Sequence, residues 1–384
     1  MNCELRAKNT TGAIDRHLAR RIPSLDGLRA VSIALVLVSH LIGTRGVPHF
    51  FDVPEDLGNL GVRTFFVISG FLITGLLLDE KAATGTISLK KFYLRRVFRI
   101  FPASYAYVAV MALLGAFGII TLKHNDLLCA ATYTVNNHYV HSWWIGHLWS
   151  LSVEEQFYLL WPATMVFLGT KRAYWAACGT FLLAPLFRML VLIFLPAHRA
   201  GVGAVFPTIA DAMAIGCILA CVRDRLTEDP RYMGFMKSRW FVLAPIAVFV
   251  LNYPLSTKLS ALVGVSLLNI AIALCIDWCV RTPESAVGMI LNTRALVWIG
   301  ALSYSLYLWQ QPFINRNSDH WVNSAPINLI FAFCAAVISY YLIEKPFLRL
   351  KMRFEAVPHG SEDHKANSSK ELPQLQRTQD IVSS

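Results

Sequence analysis

The chain reads as an all-α membrane protein, a polytopic bundle of about ten transmembrane helices, and three observations point there. Of its 384 residues 55% are hydrophobic and only 15% charged, and the mean hydropathy is +0.48, a composition suited to lipid. Apolar runs of roughly 17–25 residues, the length that crosses a hydrocarbon core, recur along most of the chain. Lysines and arginines gather in alternate connecting segments, as they do when basic loops are retained on the cytoplasmic side.

The first run, LDGLRAVSIALVLVSHLIG, is centred near Ile33 and carries Asp26 and Arg29 at its mouth and His40 near its far end. The segment after it, GTRGVPHF, lacks a small-x-small cleavage site, so this run is expected to stay as the first span. The later runs centre near Ile68, Val110, Leu159, Leu182, Ile215, Ala247, Leu268, Tyr304 and Ala335, several interrupted by Pro, Gly or a charge. With the N-terminus inside, 28 Lys and Arg fall on the inner side, and the outer loops hold only Arg45, Lys123, Arg199, Lys258 and Arg316. Arg63 and Arg188 are left within spans. The expected topology is therefore multi-pass in the cell inner membrane with both termini cytoplasmic. Residues 1–21 read as a cytoplasmic N-terminal segment, 22–350 as the transmembrane domain, and 351–384 as a polar, disordered cytoplasmic tail.

The formal charge of +11 is mostly this topology signal, and no nucleic-acid partner is expected from it. Cys217 with Cys221, and Cys275 with Cys279, stand four apart on apolar helices and no Cys-x-x-Cys occurs, so the eight cysteines read as small apolar filler. No metal site is expected.

Four constellations carry chemistry. His40 comes first, because charged residues at the centre of a span cost about 2.5–3.5 kcal/mol on insertion scales and an ionisable group there usually faces a protein interior or a water-filled cavity. It lies eleven residues after Arg29, a helical rise of roughly 16 Å. The alternative is a helix–helix hydrogen-bond partner. In FYLRRVFRIFP, Arg95 and Arg99 stand at i and i+4 with Arg96 and Lys91 nearby. Stacked guanidinium forks suit a polyphosphate, and basic juxtamembrane residues equally suit lipid headgroups. HLWSLSVEEQFYLLWP sets His147, Ser150, Glu154 and Tyr158 along one stripe with Glu155 beside it, either to orient an imidazole or as a buried polar staple. ALSYSLYLWQQPF, with Tyr304 and Trp309, suits an acyl or sugar-binding passage or an interfacial aromatic belt.

Together these segments resemble the acyltransferase-3 family of integral membrane acyltransferases, in the branch that O-acetylates bacterial surface polysaccharides, lipopolysaccharide and nodulation factors. The resemblance runs from about Ile22 to Leu350 through LDGLRA with His40, GVRTFFVISGFLIT, FYLRRVFRIFP, HLWSLSVEEQFYLLWP, SYSLYLWQQPF and EKPF. It implies that 22–350 is a transmembrane acyltransferase domain using acyl-CoA, as acetyl-CoA, from the cytoplasm, with no permanently bound cofactor. Arg29 and His40 match the family's Arg-x10-His signature, and Arg95 and Arg99 its paired arginines. Arg29, Arg95, Arg96 and Arg99 are thus the expected acyl-CoA contacts. The expected catalytic set is His40, as base or acyl carrier, with Glu154 or Glu155 holding its tautomer; His147, Tyr304 and Trp309 are expected to bind substrate. The acceptor would be a glycan or lipid-linked glycan at the bilayer.

The chain also departs from the family. Arg63 stands where an acidic residue is common, and would pair with Glu154 or Glu155 or bind something different. Gln310 stands where a histidine is frequent, and Ile209 where an arginine often precedes Asp211, leaving Asp211 to find a partner such as Arg188 on another helix. The 41 residues after Ile343 are too few for the C-terminal esterase-like domain of many relatives. A second expectation from a different class is a transporter or flippase of lipid-linked saccharides, with His40, Glu154, Glu155, Asp211 and Arg188 as an ion relay. The absence of half-to-half symmetry weighs against it.

Overall fold

The structure is a computed structural model that describes residues 22–47, 56–195, 201–253 and 257–355. The expected N-terminal segment 1–21, and the part of the expected tail beyond 355, lie outside them. Among the described residues all regular structure is helical. The long helices are α1 (Pro23–Leu41), α2 (Asp56–Thr84), α3 (Leu89–Ala116), α4 (Leu148–Phe194), α5 (Phe206–Glu228), α6 (Leu243–Asn252), α7 (Val265–Arg281), α8 (Arg294–Phe313), α9 (Ile327–Ser339) and α10 (Lys345–Glu355). Local chemistry sets several of the starts. Pro23 opens α1, where a missing N–H leaves no bond unmade. The Ser88 hydroxyl caps α3 by accepting from the Lys91 amide at 3.3 Å. α10 runs to Glu355, so the first residues of the expected disordered tail are helical.

All ten expected centres fall within helices. By length and apolar character seven helical stretches could cross a membrane, or eight if the pair Pro230–Lys237 and Arg239–Asn252, bent by 70°, makes one span. Two physical features separate that number from ten. The centres near Leu159 and Leu182 share α4, which breaks at Gly169, where φ 75° and ψ 161° suit a residue without a side chain. α8 is less apolar than those seven stretches because it carries Ser303, Ser305, Gln310 and Gln311, all buried against protein.

Small residues let the helices meet at backbone distance, as membrane bundles require. A Cβ on Gly70 would stand 2.1 Å from the Met213 carbonyl oxygen, and one on Gly216 2.2 Å from that of Val67, so α2 and α5 interlock reciprocally. α1 and α8 are locked in the same way: a Cβ on Gly300 would meet the Asp26 carbonyl oxygen at 1.9 Å. Because Gly300 abuts Asp26 and Gln310 bonds His40, α1 and α8 run parallel. Gly300→Ala is accordingly expected to push these helices apart at a cost of about 1–3 kcal/mol, read as a lower unfolding temperature in detergent micelles; an unchanged temperature would mean that this contact is loose.

The most enclosed charges sit away from α1. Arg188, in the second half of α4, donates to Asp211 of α5 at 2.9 Å, to Ser266 of α7 at 2.7 Å, and to the carbonyls of Thr208 (2.8 Å) and Ala261 (2.7 Å). Ala261 lies in a π-helical turn, Ser260–Gly264, of the kind that frees a carbonyl from the helical ladder. The partner that Asp211 needs is therefore Arg188, from another helix, as the sequence suggests. The seven described cysteines are all free.

Candidate active site

Along α1 the polar side chains form two groups. At the C-terminal end of the helix, the Nδ1 of His40 lies 2.8 Å from Oε1 of Gln310 on α8. Gln310 Nε2 donates to Gln311 Oε1 at 3.1 Å, and Gln311 Nε2 donates to the Trp143 carbonyl at 2.8 Å. The Trp143 indole donates in turn to the Gln311 carbonyl at 3.0 Å, and its ring lies 6.3 Å from the imidazole. Arg316 sits with its guanidinium 6.0 Å from the Trp143 ring centroid, within electrostatic reach of His40. His40 is half-buried, and its Nε2 has no bonded partner among the described residues yet is not one of the sealed, unsatisfied atoms of the interior.

The second group lies around Arg29 and Arg96, each of them within electrostatic reach of Arg99, Glu154 and Tyr158. The Glu154 carboxylate accepts the hydroxyls of Ser69 and Tyr158, and the Arg96 guanidinium stacks 4.4 Å from the Tyr158 ring. Glu155 keeps one buried oxygen without a hydrogen-bond partner, within reach of Arg96. A π-helical turn at Tyr340–Glu344 presents Glu344, which accepts the Ser305 hydroxyl and faces Arg99 and Arg29. Arg99 is exposed, Arg29, Arg96 and Glu154 are half-buried and Glu344 is buried, so Arg99 stands at the outer edge of the cluster. Arg95, one turn away on α3, is held apart by Glu80 at 3.0 Å.

Aromatic rings pack alongside. His147, 4% exposed, stands against Tyr107 and Tyr307 at 5.4 and 5.5 Å, and neither ring nitrogen makes a hydrogen bond of good geometry, although the ring approaches the Leu308 backbone. Trp309 meets Tyr107 at 5.3 Å with its indole N–H unsatisfied, and Tyr304 donates to the Ile100 carbonyl at 2.8 Å. Unmet polar atoms in an aromatic-lined interior are what a polar substrate would satisfy.

One expected role changes. The group that holds the His40 imidazole is Gln310, not Glu154 or Glu155, because those carboxylates sit among the arginines around Arg29 while His40 lies roughly 16 Å of helix rise further along α1. Reasoning from sequence passed over Gln311, Trp143, Ser69, Glu344 and Arg316. Ser69, Gln311 and Glu344 lie in GVRTFFVISGFLIT, SYSLYLWQQPF and EKPF, segments that carry the family resemblance, whereas Trp143 and Arg316 become partners through folding alone.

A sequence profile described as an acyltransferase domain matches residues 22–345, nearly the whole described bundle. The chain belongs to this acyltransferase family. Members similar to it include a Staphylococcus aureus (strain COL) protein provisionally named an O-acetyltransferase, 31% identical over 366 residues, covering 85% of this chain and 57% of the relative. A Listeria monocytogenes peptidoglycan O-acetyltransferase is 28% identical over 375 residues, covering 86% and 56%. A Bacillus subtilis protein, provisionally named a peptidoglycan O-acetyltransferase, is 28% identical over 366 residues, covering 85% and 55%. The chain thus spans a little over half the length of these relatives. No solved structure matches it. In this acyltransferase bundle Arg29 of α1 faces Arg99 of α3, and His40 of α1 meets Gln310 of α8, 270 residues away in sequence.

Proposed function

We propose that the protein is a membrane-embedded O-acyltransferase that moves an acyl group, as acetyl, from a coenzyme A thioester to a hydroxyl of an envelope glycan. The reading is carried by His40, whose Nδ1 is held by Gln310 while Nε2 is left unbonded and reachable. The names of the Listeria and Bacillus relatives support a sugar hydroxyl as acceptor, with peptidoglycan the first to test. The one-sided distribution of basic residues supports an inner-membrane topology with both ends cytoplasmic.

In this mechanism the exposed Arg99, backed by Arg29 and Arg96, takes the donor's phosphates by charge-assisted hydrogen bonds. Arg95 is a rim contact, because Glu80 already neutralises it. The pantetheine arm follows α1 toward His40, along the aromatic wall of Tyr304, Trp309 and His147. Nε2 of His40 removes the acceptor hydroxyl proton as the oxygen attacks the thioester carbonyl. The carbon–sulfur bond then breaks, and the thiolate leaves with the proton that the imidazole carried. Direct transfer needs one imidazole and no acyl-enzyme, which suits a single histidine held by a neutral partner.

Arg99→Ala is expected to raise the KM for acyl-CoA about tenfold with turnover changed much less, since it removes binding and no reacting group. The measurement is initial transfer rate against acyl-CoA concentration in proteoliposomes. An unchanged KM would assign Arg99 to lipid headgroups instead.

A further inference from the structure

We propose that Gln310, Gln311 and Trp143 form an amide relay that holds His40 in its Nδ1-protonated tautomer, making Gln310 the positioning residue that leaves Nε2 free as the base. The chemical consequence rests on the acyl-transfer reading above, whereas the tautomer itself does not.

The relay is fixed from its far end. A backbone carbonyl only accepts, so the Gln311 group 2.8 Å from the Trp143 carbonyl has to be its NH2. That turns Gln311 Oε1 toward Gln310, and an oxygen there demands the Gln310 NH2, found at 3.1 Å. Gln310 Oε1 is then the atom presented to His40, and it stands 2.8 Å from Nδ1. An amide oxygen only accepts, so Nδ1 carries the hydrogen and the neutral ring keeps its lone pair on Nε2. The Trp143 indole, donating to the Gln311 backbone at 3.0 Å, pins the fixed end to α8. Gln310 and Gln311 are buried, which keeps water from offering either amide an alternative partner.

The pairing also differs in charge from a carboxylate–histidine pair. Gln310 is neutral and gives the imidazolium no counter-ion, and among the described residues the ionisable groups within electrostatic reach of His40 are Arg316 and His147, neither of them acidic. A proton taken by Nε2 meets no anion within this relay, and in the proposed reaction it passes to the departing thiolate. The carboxylates Glu154, Glu155 and Glu344 stand instead with the arginines around Arg29.

Two readouts test the relay. The first is nitrogen NMR of histidine-labelled protein in bilayers, with the His40 signal assigned by subtracting the His40→Ala spectrum. The wild type should show Nδ1–H alone, and Gln310→Leu or Gln311→Leu should show both tautomers. Nε2–H in the wild type, or an unchanged tautomer in both variants, would overturn the relay. The second is the pH profile of transfer. Gln310→Leu should lower turnover at least about tenfold with little change in the KM for acyl-CoA. Gln310→Glu preserves shape, stabilises the imidazolium, and should move the acidic limb to higher pH, because more of the ring is then in the form that accepts no proton. An acidic limb unmoved by Gln310→Glu would count against the positioning role. Nδ1–H in a protein that transfers no acyl group would support the relay and remove the transferase reading.

Discussion

Replacing His40 by alanine is expected to lower acyl transfer by about 10²–10⁴-fold, the range that a positioned acid–base group supplies, while leaving an inserted, folded bundle. The fold should survive because the imidazole makes one hydrogen bond among the described residues and is only half-buried. The Gln310 NH2 keeps Gln311 as its partner after the ring is gone. Transfer rate in proteoliposomes, beside the elution profile and helix content of the same preparation, separates loss of chemistry from loss of structure. A folded variant transferring at the wild-type rate would take His40 out of the mechanism.

A larger effect on stability is expected at Arg188. Its guanidinium, 3% exposed, makes four hydrogen bonds and neutralises Asp211, which is fully buried. Arg188→Ala leaves that carboxylate charged and enclosed with only the Ser266 hydroxyl, which donates to it at 2.7 Å. Breaking a buried pair from one side costs about 3–5 kcal/mol, whereas replacing both partners by apolar residues is often nearly neutral. The single variant should therefore lose most of its folded yield, and Arg188→Leu combined with Asp211→Leu should recover much of it. Unfolding temperatures in detergent decide the matter. A single variant as stable as the parent would show that water reaches Asp211.

The sequence was most legible where periodicity and charge act locally. Each of the ten apolar centres lies in a helix, because about 20 apolar residues have few other ways to satisfy their backbone in lipid. Arg188 and Asp211 were readable as partners for the same reason: both are charges in apolar runs, and each needs the other. The break at Gly169 was harder to see, since glycine also packs inside membrane helices without bending them, as Gly70 and Gly216 do. Long-range side-chain pairing was not legible. Nothing local to His40 or Gln310 marks them as partners 270 residues apart, and that contact exists because Gly300 lets α8 press against Asp26. Glu154 and Glu155 were read as partners of the imidazole because carboxylates commonly are, but the arginines of α1 and α3 claim them.

The most direct measurement is the fate of an acyl label. Purified protein in proteoliposomes, given acetyl-CoA radiolabelled in its acetyl group and an envelope glycan such as peptidoglycan, should place label on the glycan as an alkali-labile ester. His40→Ala protein should place about 10²–10⁴-fold less. Label remaining on coenzyme A while lipid-linked saccharide crosses the bilayer would contradict acyl transfer and identify a transporter.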